Sequence, residues 1–336
     1  MAPERRAGLR IALFGAMAPV ARELRERLEA ASLTASRVSL YDSGEFEGTL
    51  TEFDGEAMLV QRAEEPLVED CDLAFICSSG DPRTPEYVDW VVRAGGIAVD
   101  LSGATRGRAG VPLVNCDVNP EALRSGGRIF AVPGPLAHPL STILHRLSRA
   151  EMVRRAEATI FRPAAEFGER GVEELHRQTV ALLSFSEVPR EVLGRQSAFN
   201  LFPISLLGDE ARELEESTRR EVLGVLHGRD IPLAVRVIQA PVFHGHAYSI
   251  HVEFDGARSA DALARALRQE GVISISGADD GRSPAELAAE PGIWIADLAP
   301  EPQGGGAWIW AVTDALRSGV ALNAVRVAGL LAEIAA

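Results

Sequence analysis

Cysteine is scarce in this chain of 336 residues, which contains three: Cys71, Cys77 and Cys116. Three thiols cannot build the disulfide framework that stabilises small secreted domains. The sequence has no CxxC pair and no clustered cysteine and histidine residues, so its pattern does not indicate a zinc site. We therefore expect a protein of the reducing cytoplasm without a resident metal.

Basic residues are also in short supply. The chain has 34 Lys and Arg against 48 Asp and Glu, which gives a net charge of −14 at pH 7. Nucleic acids and anionic membranes attract positive fields, so we expect neither as a partner of the whole chain. A local basic pocket for a small anionic ligand stays compatible with this balance.

Long apolar runs are missing as well, because none approaches the ~18 residues of a membrane helix. Arg5 and Arg6, followed by the apolar stretch 11–21, imitate a signal peptide. The highly charged segment 22–29 favours a buried strand, a turn and a helix instead. With 46% apolar and 24% charged residues the chain can bury a core, and its length predicts two domains.

The first 130 residues alternate short apolar runs with amphipathic segments, which is typical of a parallel sheet covered by helices on both faces. We predict strands at 9–14, 37–41, 58–61, 73–77 and 97–101, and helices at 21–31 and 85–94. In the second half we predict β-type stretches at 157–162, 233–240, 247–254, 294–298 and 308–312, and helices at 172–183, 260–269 and 314–335. The last two β stretches flank a Pro/Gly loop, which predicts antiparallel pairing.

A turn between the first strand and the first helix has the position of a dinucleotide-binding turn, where N–H groups at the helix start hold a pyrophosphate. Only the first glycine of a GxxGxxG pattern is present, and Pro19 lacks an N–H donor. The turn therefore fits either a dinucleotide site or a Rossmann-like fold that no longer holds one. The candidate cofactor contacts are Gly15, Ala16, Met17, Ala18, Ser78 and Gly80.

The segment after the second predicted strand discriminates between the two nicotinamide cofactors. It carries three carboxylates, Asp42, Glu45 and Glu47, where the 2′-phosphate of NADP would require Arg or Lys. We therefore expect NADP to be disfavoured by like-charge repulsion. Asp42 could hydrogen-bond the free ribose 2′-hydroxyl of NAD, so NAD, NADP or no nucleotide stay open, with NADP the least favoured.

Several longer segments carry a resemblance to a known family. They are 10–24, 71–106, 111–120 (VPLVNCDVNP), 171–179 (GVEELHRQT), 198–203 (AFNLFP), 241–254 (PVFHGHAYSIHVEF) and 318–325 (SGVALNAV). Along nearly its whole length the chain resembles the aspartate-semialdehyde dehydrogenases. The resemblance implies an α/β fold with a Rossmann-like dinucleotide-binding domain at 1–133, completed by a C-terminal helix at 314–336. It also implies a central α+β domain at 134–313 that dimerises through its sheet.

The resemblance implies a reaction as well. The family interconverts aspartyl phosphate and aspartate semialdehyde with NADP, using a cysteine thiolate, a histidine, a glutamine and two arginines. His246 matches the family's histidine, Arg106 its phosphate-binding arginine and Asn323 the asparagine near the nicotinamide. The nucleophile falls on Leu140, or on Pro135 when the preceding strand is used as the anchor, and neither is a cysteine.

Two further positions depart from the family pattern. The family's glutamine falls on Arg162, and its carboxylate-binding arginine falls on Gln239. Arg236 would point to the opposite face of a strand and is a poor substitute. Without a thiolate no thioester can form, so we expect the dehydrogenase reaction to be absent. The chain is similar to the catalytically incomplete relatives grouped as the Usg protein family.

Other chemistry stays open at the same positions. His244 and His246 are two apart on a predicted strand, a spacing compatible with a metal ion, with Glu166 or Glu169 as a third ligand. The alternative is one inherited histidine without a metal. A basic cavity for a phosphate or carboxylate ligand would need converging arginines, for which the candidates are Arg106, Arg162, Arg219 and Arg220.

The leading hypothesis is a cytoplasmic homodimer that binds a small ligand or a partner and lacks semialdehyde dehydrogenase activity. The first alternative is an NAD(P)-dependent semialdehyde oxidoreductase of amino-acid biosynthesis that acts on another aldehyde or oxo group. The second alternative is a hydrolase-like enzyme in which His246 acts with Ser141 or His138. For Ser141 we favour a structural role in the first turn of a helix, where serine is common, because no oriented third partner is visible.

Overall fold

The computed structural model describes residues 8–31, 35–68, 70–78, 80–150, 153–227, 229–276, 281–287 and 291–334. It forms two compact units, unit 1 (Met1–Gly134 and Val320–Ala336) and unit 2 (Pro135–Gly319). The predicted fold class, a Rossmann-like domain plus an α+β domain, is confirmed. Arg5 and Arg6, which resembled the start of a signal peptide, and Ala335 lie outside the described residues.

Unit 1 is built on a parallel sheet of six strands in the order β5-β2-β1-β6-β7-β8. The strands are β1 (Leu9–Phe14), β2 (Ala35–Asp42), β5 (Gln61–Arg62), β6 (Leu73–Ile76), β7 (Ile97–Asp100) and β8 (Ile129–Ala131), and the helices are α1 (Pro19–Ala30), α2 (Thr84–Arg93) and α7 (Leu322–Ile334). Ile11 and Leu13 face the core under α1 and α7, whereas Ala12 and Phe14 face the core under α2. This alternation follows from the two-residue period of a strand that is covered on both faces.

Two predictions for unit 1 need correction. Residues 58–61 are not a strand of the parallel sheet, because β3 (Leu50–Phe53) and β4 (Glu56–Leu59) pair in a separate antiparallel hairpin. The predicted helix 314–335 is divided into a π-helical segment, Ala315–Ala321, and α7.

The stretch Ala315–Ile334 is also long and apolar enough to cross a membrane, which corrects the expectation that no such run exists. However, 61% of its most apolar window is buried inside the protein. Val327, Ala328 and Leu331 belong to the unit 1 core, so the apolar composition of α7 is explained by packing.

Unit 2 contains a mixed sheet of seven strands in the order β10-β11-β9-β12-β15-β14-β13. The strands are β9 (Val153–Arg162), β10 (Phe202–Pro203), β11 (Leu233–Gln239), β12 (His246–Phe254), β13 (Ile273–Ile275), β14 (Ile293–Pro300) and β15 (Gly306–Thr313), and the helices are α3 (Ala137–Ala150), α4 (Gly168–Leu183), α5 (Asp209–Val225) and α6 (Ala260–Leu267). The predicted antiparallel pairing of β14 with β15 is confirmed. Helix α3 packs against α5 and α6, which in turn contact β11 and β14.

Residues 184–201, between α4 and β10, contain neither helix nor strand. Two buried side chains one turn apart on α4, Glu174 and Gln178, accept hydrogen bonds from this segment over 2.7–3.1 Å. The donors are the backbone N–H groups of Val192, Leu193, Ser197 and Ala198. These two residues of the GVEELHRQT segment therefore have a structural role.

Candidate functional site

Three neighbouring strands of unit 2 place Gln239, Arg162 and His246 in one row. Gln239, at the end of β11, is the direct partner of Arg162, at the end of β9. His246, the first residue of β12, precedes Ala247, which pairs with Phe161. In-register residues of adjacent strands share a face and lie about 5 Å apart, so the three side chains start side by side. Gln239 and His246 are buried, with exposed fractions of 0% and 1%.

A carboxylate joins two members of this row. Glu166 lies in a short 3₁₀ turn, Ala164–Phe167, directly after β9. Its Oε1 is 2.6 Å from Nε2 of His246, and its Oε2 is 2.8 Å from Nε of Arg162. The side chains of Arg162, Glu166 and His246 are only 13%, 7% and 2% exposed. We refer to these three residues as the Arg–Glu–His cluster.

The two loops that supply this cluster are fixed to each other. The N–H groups of Ala164 and Ala165 donate to the carbonyl oxygens of Val242 and Phe243, each over 2.9 Å. The guanidinium of Arg162 also stacks over the ring of Phe167, 4.2 Å from its centroid. The cluster is therefore held by backbone bonds on both sides.

The charges within the cluster decide the roles of the histidine nitrogens. Burial raises the pKa of Glu166, but the nearby charge of Arg162 and the hydrogen bond from His246 outweigh it and lower that pKa to about 2. The ionised carboxylate can only accept, so Nε2 of His246 donates to it. In neutral His246, Nδ1 is then an acceptor, and within the described residues it has no hydrogen-bond partner. The same holds for Oε1 of Gln239.

In unit 1, the candidate dinucleotide turn connects β1 to α1. Gly15 has φ +75°, and a Cβ added there would overlap the backbone nitrogen of Ser78, so only glycine allows this close approach. Ser78 bonds the hydroxyl of Thr84 over 3.0 Å, and Gly80 is exposed with no atom near its Cβ position.

The turn also has internal partners for its polar groups. Oδ2 of Asp42 accepts from Met17 N–H over 2.8 Å, and its Oδ1 accepts from Ser43 N–H over 2.7 Å. On the other side, Nη1 of Arg25 donates to the carbonyl oxygen of Ala16 over 2.5 Å. Ala18 is the N-cap residue of α1, and Pro19 is its first residue.

Arg106 and Asn323, two residues that the resemblance assigns to ligands, bind the backbone of unit 1. Arg106 donates to the carbonyl oxygens of Val132 and Leu101, over 2.9 and 3.1 Å. The side-chain amide of Asn323 accepts from Cys116 N–H over 2.9 Å and donates to Val114 O over 2.8 Å. Both residues help to fix loops at one edge of the parallel sheet, in addition to any role toward a ligand.

Comparison with known proteins decides the family. Residues 10–126 match the NAD-binding domain model of the semialdehyde dehydrogenases, and residues 164–317 match their dimerisation domain model. The chain belongs to the semialdehyde dehydrogenase family.

Individual relatives agree over nearly the full length. The aspartate-semialdehyde dehydrogenase of Aquifex aeolicus is 29% identical over 343 residues, covering 97% of this chain and 98% of that protein. The crystal structure of aspartate semialdehyde dehydrogenase II from Vibrio cholerae has a TM-score of 0.90 at 25% identity, covering 97% and 99% of the two chains. The Candida albicans enzyme, solved with NADP, shares the fold alone, with a TM-score of 0.70 at 16% identity, covering 97% and 98%.

Two departures from the semialdehyde dehydrogenase pattern turn out to be neighbours. The resemblance places glutamine at 162 and arginine at 239, whereas this chain has Arg162 and Gln239, and these two residues are Cα partners across β9 and β11. The two residue types are thus kept with their positions exchanged. Arg236 is exposed and pairs with Glu215 at 3.4 Å, as expected for the opposite face of β11.

No cysteine occurs between residues 135 and 319. The residues at both candidate nucleophile positions contribute to the packing of unit 2. Leu140 is fully buried in α3, and the carbonyl oxygen of Pro135 accepts from the Tyr248 hydroxyl over 3.1 Å. The three cysteines of the chain are buried in unit 1. Burial raises the pKa of the Cys71 and Cys116 thiols to about 12 and that of Cys77 further.

The geometry does not favour a hydrolytic pair. The Ser141 hydroxyl is fully buried and donates to the carbonyl oxygen of His138 over 2.9 Å, a bond within α3. Thr142 makes the same kind of bond to His138. The side-chain partner of His246 among the described residues is Glu166, and not Ser141 or His138.

The alternative of a metal site at His244 and His246 is not supported by the geometry. His244 is exposed and precedes β12, because Gly245 between the two histidines adopts φ +80° and turns the chain. His244 and His246 therefore do not share a strand face. Within the described ranges, no group of three or more His, Cys, Asp or Glu side chains is placed to hold a metal ion.

Of the two interpretations of the arginines, a basic cavity or paired surface residues, the structure supports pairing for Arg219 and Arg220. Arg219 pairs with Glu216 at 2.6 Å and Arg220 pairs with Glu213, all on the exposed surface of α5. Among the candidate arginines of unit 2, Arg162 is then the one left to line a cavity, and Glu166 compensates its charge. The role of Glu166 as an ion-pair partner was missed by sequence reasoning, although its spacing of four residues from Arg162 is a signal for such a pair.

Proposed function

We propose that this member of the semialdehyde dehydrogenase family forms no thioester and acts as a cytoplasmic homodimer that binds a small ligand. The observation that carries the proposal is the lack of any cysteine from residue 135 to residue 319, the part of the chain that holds His246 and its partners. A thioester requires a thiolate beside its acid/base group, and positioning groups alone cannot replace the nucleophile. Loss of the nucleophile of a catalytic group typically lowers kcat by roughly a millionfold.

The three thiols of unit 1 support this view. Cys71, Cys77 and Cys116 are 8%, 1% and 7% exposed, and their raised pKa values keep them protonated at neutral pH. We expect none of them to react with a thiol reagent in the native protein, whereas all three should react after unfolding.

The Arg–Glu–His cluster indicates the class of ligand. Glu166 compensates the charge of Arg162, so the cluster offers little net attraction to a plain anion. The buried atoms of the cluster and its row without a described partner are Nδ1 of His246, an acceptor when the imidazole is neutral, and Oε1 of Gln239, an acceptor in any state. A ligand that donates hydrogen bonds, such as one with an amino or hydroxyl group, suits them better than a simple anion.

Activity is tested with purified protein, aspartate semialdehyde, phosphate and NAD⁺ or NADP⁺, while the absorbance of the reduced nucleotide is followed. The Aquifex aeolicus enzyme serves as the active control. We expect no turnover with either nucleotide. Turnover that a thiol-alkylating reagent abolishes would overturn the proposal.

The ligand class is tested by thermal unfolding with L-aspartate and succinate, which carry the same two carboxylates and differ in the ammonium group. A ligand that binds only the folded state raises the Tm. Stabilisation by aspartate and not by succinate supports the proposed class, and the reverse order contradicts it. The His246→Ala variant is the control for binding at the cluster.

The second candidate function is an NAD(P)-dependent oxidoreductase for another aldehyde, which the match to the NAD-binding domain model favours. In that case we propose that NAD is preferred to NADP, because Glu45 and Glu47 are exposed beside β2 and repel a 2′-phosphate. Turnover of an aldehyde panel with NAD⁺ would establish this candidate. The dimer, proposed from the match at 164–317, should have about twice the chain mass of 36.0 kDa in light scattering.

A further inference from the structure

One peptide group in the turn after β1 is held at both ends by oppositely charged side chains. Its carbonyl oxygen, that of Ala16, accepts from Arg25 over 2.5 Å, and its N–H, that of Met17, donates to Asp42 over 2.8 Å. Arg25 and Asp42 are each only 7% exposed. The orientation of this peptide is therefore set by the protein itself.

The remaining N–H groups of the turn are also used internally. Those of Gly15 and Ala16 donate to Tyr41 O over 2.8 and 3.1 Å, and that of Ala18 donates to Gly15 O over 3.0 Å. Pro19 has no N–H. Each N–H group from residue 15 to residue 19 thus already has an acceptor. A dinucleotide binds by placing its pyrophosphate on such N–H groups at the start of a helix.

The negative charge around the turn also disfavours the binding of a diphosphate. Burial is the main cause that raises the pKa of Asp42, and the hydrogen bonds from Met17 and Ser43 oppose it. The negative charges of Asp81 and Glu45 also act on this carboxyl. A diphosphate brought to this edge of the sheet would meet their combined repulsion. The buried cation Arg25 faces the carbonyl side of the peptide and is already bonded there.

We propose that Asp42 is the resident anion of this turn, opposed by Arg25 across the Ala16–Met17 peptide, and that it excludes the diphosphate of a nicotinamide dinucleotide. The residues of the turn therefore do not fit the cofactor that the family match implies. This inference rests on unit 1 alone and does not depend on the absence of a nucleophile in unit 2.

The two roles of Asp42, as a ribose contact or as an anion that excludes the diphosphate, predict opposite effects of one substitution on affinity. If Asp42 held the ribose of a bound NAD, Asp42→Ala would weaken nucleotide binding. If Asp42 occupies the anion site, the same substitution removes a charge and frees the Met17 N–H, so anion binding improves. The sign of the change in affinity separates the two roles.

The experiment is calorimetric titration of the full-length protein with NAD⁺ and, separately, with inorganic pyrophosphate at fixed ionic strength. We expect no saturable binding of NAD⁺ by the wild type and only weak binding of pyrophosphate. Asp42→Ala should bind pyrophosphate at least about tenfold more tightly than the wild type. Glu45→Gln, which removes a nearby exposed charge and leaves the bond to Met17 in place, is the matched control and should gain less.

Two outcomes overturn the proposal: NAD⁺ binding by the wild type that Asp42→Ala weakens, or a folded Asp42→Ala protein with no gain for pyrophosphate. Asp42→Asn, which keeps an oxygen acceptor for Met17, provides a second variant in case the alanine protein does not fold. It should gain affinity by loss of the charge, and an unchanged or lower affinity contradicts the proposal. Faster hydrogen exchange at the Met17 amide in Asp42→Ala is the direct measure of the freed N–H.

Discussion

The Arg–Glu–His cluster makes a quantitative prediction about stability. We consider Glu166→Gln, which keeps the shape of the side chain and removes its charge. A carboxyl whose pKa falls from 4.5 to about 2 on folding contributes about 3 kcal/mol to the free energy of unfolding at neutral pH. The substitution also leaves the buried guanidinium of Arg162 without its counter-charge, and breaking a buried pair costs about 3–5 kcal/mol. We therefore expect a loss of about 3 kcal/mol.

The sign of the pH dependence follows from the direction of the shift. Because the folded pKa lies below the unfolded one, the contribution of Glu166 is fully present well above pH 4.5 and is lost as the pH falls toward 2. By pH 3.5 about 1 kcal/mol of it should be gone. The stability difference between the wild type and Glu166→Gln should therefore be smaller at pH 3.5 than at pH 7.

The assay is urea unfolding of both proteins at pH 7 and at pH 3.5. Glu173→Gln, an exposed substitution on α4, is the matched control and should change stability by less than about 0.5 kcal/mol. A Glu166→Gln protein as stable as the wild type at pH 7 would refute the reasoning. So would a stability difference that is the same at both pH values.

Three further substitutions test other contacts. Gly15→Ala should lower the free energy of unfolding by about 2 kcal/mol or more, because the added Cβ overlaps the backbone of Ser78. The control is Gly48→Ala, which is also at positive φ but in open space and should lose less stability. Thermal unfolding measures both losses. Arg162→Gln should lose stability, and adding Gln239→Arg should restore part of it, because the two positions are Cα partners. A double variant that is no more stable in urea than Arg162→Gln would show that a guanidinium on β11 cannot replace the one on β9. Tyr248→Phe should cost about 1 kcal/mol by loss of one buried hydrogen bond, and an unchanged urea midpoint would contradict that role.

The regular elements of the fold were predictable because their signals are local. Apolar runs such as β6, LAFI with all four residues buried, identify strands of a covered parallel sheet without further information. The strand predicted at 58–61 belongs to a separate hairpin, because a short apolar run does not reveal its pairing partner. The helix at 314–335 follows helical periodicity, which cannot distinguish the π-helical turns at its start from α-helix.

The site was predictable only in part. The resemblance leads to His246, but it does not reveal that Glu166 orients the ring, because that contact spans 80 residues of sequence. The exchange of Arg162 and Gln239 depends on strand register, which no single sequence provides. In the same way Asn323 acquires its partner at Cys116 across 207 residues. His244 was placed on the wrong face because a glycine at positive φ interrupts the two-residue period.

The contacts of Glu174 and Gln178 with residues 184–201 have a consequence for native-state dynamics. Glu174 and Gln178 lie one turn apart on α4 and hold this irregular segment together. If one of the two side chains is lost, the segment is released, and the amides bonded to the other side chain lose protection as well. We expect the protected amides between 192 and 198 to open together, as one cooperative unit below the energy of global unfolding. The chain would then be cut first by a protease within this segment, while the six-stranded and seven-stranded sheets stay folded.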